Sequence, residues 1–245
     1  MASQPVETVA YGDHPSQVCD LYRPAGDGPY PVAGLIHGGF WRARYGRELE
    51  EPLARDLVAR GWAAWNVEYR RLGEGGGWPA ALEDVCAAVG ALGDAVEAQR
   101  VVAIGHSAGG QLAVLAAQRL RLAGAVSQAG ALDLDELWRL GTSDRVVEEL
   151  LGGGPDEVPE RYDTASPARR LPVGVPLLLV HGTRDDDVPV HISQEFAAAA
   201  RAAGDDCALA VIEDEGHYEH LEPGSRSWAS VLGWFAARSP GGPHG

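Results

Sequence analysis

The run "VVAIGHSAGGQLAVLAA", Val101 to Ala117, decides the fold. Val101–Gly105 reads as a buried strand. The chain then breaks at Gly105-His106-Ser107-Ala108-Gly109-Gly110 and resumes as a helix over Gln111–Leu120, with Leu112, Leu115 and Ala116 on one face. Gly105 to Gly109 matches G-x-S-x-G, and it stands directly between strand and helix, the context that makes the match informative. A turn this sharp leaves no room for large flanking side chains and holds Ser107 out at the carboxyl edge of a sheet. There the Ala108 amide and the helix dipole favour a developing negative charge. The competing reading is a serine that merely caps a helix after a glycine turn.

Outward from this turn, short apolar runs alternate with Ala- and Leu-rich stretches. Val6–Tyr11 and Gln17–Pro24 predict an antiparallel entry hairpin, and Pro31–His37 and Gly61–Tyr69 predict inner strands joined by a crossover helix over Glu48–Arg60. A helix follows over Pro79–Leu92, a strand over Ala123–Gln128, strands over Pro176–His181 and Leu209–Glu213 around a helix at Ser193–Ala203, and a closing helix over Trp228–Arg238. This order predicts an α/β fold with a mostly parallel sheet of about eight strands flanked by helices, forming one domain over residues 1–238. Residues 133–173 break the alternation with "GGGP", several prolines and Trp138, and predict a small cap of short helices and loops. The tail 239–245, "SPGGPHG", reads as disordered.

Composition narrows the chemistry. The net charge of −15 repels nucleic acid and anionic membrane surfaces, so neither is an expected partner. All 20 basic residues are arginine, which excludes a Schiff-base lysine and a P-loop lysine. Cys19, Cys86 and Cys207 are odd in number and widely spaced, the pattern of reduced thiols rather than a disulfide framework or zinc site. The first residues, "MASQPVETVA", carry neither a basic segment nor a long apolar core, so a cytoplasmic protein is expected. Oligomeric state is not legible.

A serine needs a base, and candidates follow in chain order. "LLLVHGTRDDDVP" ends a strand in a carboxylate-bearing turn, and "VIEDEGHYEHLEP" ends the next with Gly216-His217. Of Asp185, Asp186 and Asp187, Asp185 is chosen for its place at the strand exit; of His217 and His220, His217 is chosen for its place after Gly216 in the turn. Asp185 would accept from His217 Nδ1–H and steady the imidazolium. No H-E-x-x-H-like spacing appears, so no metal and no cofactor is expected. The loop "LIHGGFW" supplies a second oxyanion donor from Gly39 or Phe40, to pair with Ala108. Trp41 and His106, flanking these donors, are assigned to substrate contact.

With these segments in place, the sequence resembles the α/β-hydrolase superfamily along nearly its whole length. "HGGFW" and "GHSAGG" resemble the His-Gly-Gly-x-Trp branch of kynurenine formamidases and small bacterial esterases. The resemblance implies Ser107, Asp185 and His217 as a triad, with Gly39, Phe40 and Ala108 as the oxyanion region. It implies a serine hydrolase acting on a small ester, with an arylformamidase as the alternative, in which Arg42 would hold the substrate's carboxylate. "YEHLEP" after His217 departs from the formamidase pattern. A non-catalytic, hydrolase-like ligand-binding protein is the rival from another class.

Overall fold

A computed structural model describes residues 6–26, 29–92 and 100–238; the tail assigned to 239–245 lies outside the described residues. Eight strands form one sheet: β1 (Glu7–Ala10), β2 (Val18–Tyr22), β3 (Val32–Ile36), β4 (Ala63–Val67), β5 (Val101–His106), β6 (Gly124–Gln128), β7 (Leu177–Gly182) and β8 (Cys207–Ile212). Their spatial order is β1-β2-β4-β3-β5-β6-β7-β8. β1 and β2 are antiparallel to their neighbours, and every pairing from β4 to β8 is parallel. This is the α/β-hydrolase fold.

Strand periodicity explains the two-sided core. Ala33 and Leu35 of β3, with Leu178 and Val180 of β7, face α1 (Glu51–Ala59) and α8 (Arg226–Arg238), where Leu53, Leu57, Trp228 and Val231 are fully buried. Val32, Ile36, Leu177 and Leu179 face the other way, toward α2 (Ala80–Gly90), α3 (Ala108–Leu120) and α7 (His191–Ala202). Each fully buried Leu or Val contributes roughly 1.5–3 kcal/mol relative to an exposed one.

Most element ends shift by a residue or two from the sequence reading, and three differences bear on the fold. The crossover at Glu48–Arg60 splits into a 3-10 turn, Arg47–Glu50, and α1, because Pro52 in the first turn of α1 cannot donate to a preceding helical turn. α3 begins at Ala108 rather than Gln111, so the residues that read as a turn are already helical. β8 starts at Cys207, two residues early. Between β6 and β7 the chain runs through α4 (Leu134–Leu140), α5 (Thr142–Leu151), α6 (Pro159–Ala165) and a 3-10 turn, Pro167–Arg170. Asp133 caps α4 by accepting from the Asp135 and Glu136 amides. The start of α5 is irregular, with Ser143, Asp144 and Arg145 all at φ between +48° and +61°.

Candidate active site

Ser107 sits at φ +55°, ψ −118°, a conformation that costs a non-glycine residue of order 1–3 kcal/mol and persists only where the surroundings impose it. The surroundings are two backbone passes. A β-carbon on Gly105 would strike the Gly109 carbonyl, and one on Gly109 would strike the Ile36 carbonyl. Glycine at both flanks therefore lets β5, α3 and the end of β3 approach closely enough to force the turn. The Ser107 amide donates to the Gln128 carbonyl at the end of β6, 2.8 Å, which fixes the turn from the other side.

The loop after β3 lies against this turn. A β-carbon on Gly38 would fall 3.0 Å from Ser107 Cβ, and one on Gly39, at φ +106°, would strike the Tyr45 ring. Phe40 and Trp41 follow, both at φ +56°. The amides of Gly39, Phe40 and Ala108 have no acceptor among the described residues. Trp41 is buried and its indole N–H donates to Gln111 Oε1, 2.9 Å, while Gln111 Nε2 donates to the Ala165 carbonyl of α6.

The loop is anchored from beneath by residues the sequence reading did not single out. The two ring nitrogens of His37 face the Gly38 carbonyl, 2.7 Å, and Glu68 Oε1, 2.9 Å, and the ring stacks on Tyr69 with centroids 4.4 Å apart. Glu68 also accepts from the Arg47 and Tyr69 amides and pairs with Arg71. Burial alone would raise its pKa, but the His37 hydrogen bond and the charges around it hold it below the usual carboxylate value.

Asp185, after β7, and His217, after β8, are in contact. His217 Nδ1–H donates to Asp185 Oδ2 at 2.7 Å, with both side chains almost sealed from water. Asp185 Oδ1 accepts from the Asp187 and Val188 amides, and Oδ2 lies 3.1 Å from His181 Nε2. Burial pushes the Asp185 pKa up, but the hydrogen bonds from His181 and His217, with the Val188 amide, win and hold it well below the carboxylate range. Asp186 is exposed, and Asp187 is partly exposed and meets Asp185 through its backbone amide. His181, missed in the sequence, has its ring fixed by Ser193 Oγ at 2.7 Å and the Val188 carbonyl at 2.8 Å. The carbonyl accepts from Nε2–H, so Nδ1 accepts from the serine hydroxyl.

The loop after β8 is stapled across the sheet. His106 Nε2–H donates to the His217 carbonyl, 2.8 Å, and Gln128 Nε2 donates to the His220 carbonyl, 3.0 Å. The His106 and His217 rings lie 4.6 Å apart, which brings His217 beside the strand end that bears Ser107. Ser107 Oγ makes no hydrogen bond among the described residues. His106, assigned to substrate contact, has its ring buried and turned to the loop after β8, with Nε2 committed to the backbone of His217. Burial, with His217 and His220 nearby, holds the His106 pKa well below the usual imidazole value. The His220 ring, with neither nitrogen partnered among the described residues, is pushed down to about 3 by burial and then by His181 and His217. Arg42 is likewise engaged, its guanidinium bonded to Glu149 at 2.9 Å and to the Ser143 carbonyl.

A narrow apolar pocket opens beside Ser107, lined by Phe40, Trp41, Ala108, Leu137, Val146 and Val147 among others. Its free volume is about 10 Å³, near the space one water needs. Among the described residues, no three His, Cys, Asp or Glu side chains are grouped to hold a metal, and no helix is long and apolar enough to cross a membrane.

A strained serine at the top of β5, with Asp185 after β7 and His217 after β8, places this chain among proteins of the α/β-hydrolase fold. Within that fold the chain belongs to the prolyl oligopeptidase family, which residues 68–239 match. It is 29% identical over 224 residues to esterase LipC of Mycobacterium tuberculosis, covering 79% of this chain and 54% of that protein. It is 25% identical over 243 residues to a probable isoprenylcysteine alpha-carbonyl methylesterase of rice, covering 87% of this chain and 58% of the other. The chain thus spans little more than half the length of these curated relatives. Among solved structures, a truncated carbohydrate esterase from gut microbiota superposes with a TM-score of 0.82 at 20% identity, covering 96% of each chain. A thermophilic esterase of Thermogutta terrifontis superposes at 0.76 and 21% identity, covering 97% of this chain and 95% of that one. At these identities the structures share the fold.

Proposed function

We propose that the protein is a serine hydrolase that cleaves small carboxylic esters through Ser107, His217 and Asp185. The observation that carries the reading is the sealed Asp185–His217 pair, held by the His106 ring beside the strand end that bears a strained, otherwise unbonded Ser107. With its Nδ1–H given to Asp185, His217 keeps Nε2 free to accept a proton. Ser107 Oγ attacks the ester carbonyl as Nε2 takes its proton, and the hydrogen bond between the two closes in the substrate complex. The oxyanion falls to the amides of Gly39 or Phe40 and of Ala108. The imidazolium, steadied by Asp185, then protonates the leaving alcohol. A water, deprotonated by the same nitrogen, releases the acid and restores the serine.

The tight pocket beside Ser107 supports a short acyl group. The esterase names of the relatives point the same way. The pocket also gives the second reading, an arylformamidase, its support, since a formyl group is the smallest acyl group; against it, Arg42 is already paired with Glu149.

The test is a panel of nitrophenyl acetate, butyrate and octanoate with N-formylkynurenine, run on the parent protein and on Ser107→Ala, with fluorophosphonate labelling. Acetate should be hydrolysed fastest, the probe should label Ser107, and Ser107→Ala should lose about 10⁴-fold or more while staying folded. Undiminished hydrolysis by Ser107→Ala would overturn the reading. Preference for N-formylkynurenine would move it to the second, and neither labelling nor hydrolysis would leave a binding protein.

A further inference from the structure

Thirteen of the 20 arginines form an ion pair with a carboxylate among the described residues. In a chain of net charge −15 that is the expected state of a guanidinium. Arg44, Arg100, Arg119, Arg121, Arg161, Arg170 and Arg201 do not, and three of these seven, Arg119, Arg161 and Arg170, line one cavity.

That cavity holds about 680 Å³ between α2, α3, α6 and the turn Pro167–Arg170, inside the range of small-molecule sites. Its floor is apolar, built from Leu82 and Leu115, both buried, with Trp78 as a wall. Arg161 is anchored through Nη1 to the Leu151 carbonyl, 2.7 Å, and Arg170 through Nε to Gln118 Oε1, 2.9 Å. Gln118 is itself held by the Arg170 and Pro172 carbonyls. Neutral acceptors thus aim two guanidinium groups without neutralising them, which leaves most of each fork free to donate. One carboxylate, Glu160, also lines the cavity, so its lining carries a net charge of +2 (three Arg, one Glu). The site is separate from Ser107: at 1.5 Å per residue along α3, Leu115 lies about 12 Å and Arg119 about 18 Å further on.

We infer that this cavity is a second binding site, for an amphipathic carboxylate whose apolar body lies on Leu82, Leu115 and Trp78 and whose charged head meets Arg119, Arg161 and Arg170. The wall that α6 contributes is bonded through Gln111 to Trp41 at the narrow pocket, so an occupant rests on an element that also reaches the hydrolytic centre.

The test is calorimetric titration of the whole protein with octanoate, octanol and octylammonium. Octanoate should bind one per chain, and about tenfold or more tighter than either uncharged or cationic analogue, as expected for charge-assisted pairing. Arg119→Gln and Arg170→Gln should each weaken octanoate severalfold and bring it toward octanol, with hydrolysis of a short ester unchanged as the sign of an intact fold. Thr164→Trp, which fills the cavity without touching its charge, should remove binding of all three ligands. Equal affinity for octanoate and octanol, no saturable heat at millimolar octanoate, or binding indifferent to both arginine changes and to Thr164→Trp would overturn the proposal. Because the ligand series needs no variant and no turnover, the outcome stands apart from that of the proposed hydrolysis.

Discussion

Two stretches of this molecule hold non-glycine residues at positive φ against the same pocket, and they are held very differently. Phe40 and Trp41 sit on a loop whose underside is fixed by His37, Glu68, Tyr69 and Arg71, and Trp41 is bonded to Gln111. Ser143, Asp144 and Arg145 open α5 at the surface, where the outside supports are the Arg42 contact to the Ser143 carbonyl at 3.3 Å and the Arg145 guanidinium over the Trp138 ring. Left-handed geometry costs roughly 1–2 kcal/mol per residue in either place. Only the first stretch is over-determined by buried groups. The loop after β3 is therefore the rigid wall of the pocket, and the start of α5, which brings in Val146 and Val147, is the compliant one.

The sharpest way to break this contrast is to cut the rigid anchor. Glu68→Gln leaves His37 and Arg71 without their buried countercharge and is expected to cost about 3–5 kcal/mol in chemical denaturation. If the amides after Gly38 receive the oxyanion, kcat/KM for a short ester should fall about 10²-fold as well. Loss of stability without loss of turnover would show that the anchor does not position the loop.

His220→Leu should work in the opposite sense, by about 1–3 kcal/mol, since it removes a buried ring whose two nitrogens have no partner among the described residues. The sign with pH follows from proton uptake. The folded pKa values of His106 and His220 lie below the ordinary imidazole value, so the unfolded chain binds more protons once pH drops under about 6.5. Stability is then lost as pH falls, for His220 down to about 3, and His220→Leu should flatten part of that slope in a thermal scan. Asp185 adds a further loss only below about 4, where the unfolded carboxyl begins to protonate and the folded one does not.

Glu50 gives the reverse slope. It is fully buried with both oxygens unpartnered among the described residues, and burial pushes its pKa up to about 8. The folded state binds the extra proton between about 4.5 and 8, so stability should fall as pH rises through that window, and Glu50→Gln should abolish the trend. The smallest expected effect lies on the compliant wall. Asp144→Gly accepts positive φ freely and should stabilise the protein by up to about 1 kcal/mol. Acetyl ester turnover should be retained, while a stiffer or slacker α5 alters the ratio of butyrate to acetate rates. Destabilisation by Asp144→Gly would mean that the turn is held more firmly than its contacts indicate.

Much of this was legible in the chain because local rules and the global fold agree. β5 and β7 are apolar runs closed by glycine or histidine, and the turn at Gly105–Gly109 can take few shapes, so the elements that present Ser107, Asp185 and His217 could be read directly. Strand order led to the turns after β7 and β8, but the choice of Asp185 among three neighbouring carboxylates rested on its place at the strand exit, and only the fold shows it 2.7 Å from His217. Other features were not legible for the same reason that they matter: they are long-range pairings of common residue types. Glu68 is one of 35 acidic residues, and nothing local marks it as the partner of His37, 31 positions away. His181 and Ser193 are an ordinary strand end and helix residue until the fold sets them 2.7 Å apart. His106 stands next to the serine in sequence, which suggested a substrate contact. Only the return of the loop after β8 shows its ring facing the backbone of His217 instead.

That single contact, His106 Nε2 to the carbonyl of His217, has a bearing on how the chain tolerates being rearranged. The alignment of residues 107 and 217 is stored as local adjacency rather than as tether length. Length changes or a nick within the excursion between β6 and β7 are thus buffered from it, and loops there are free to diversify without re-solving the placement of the histidine.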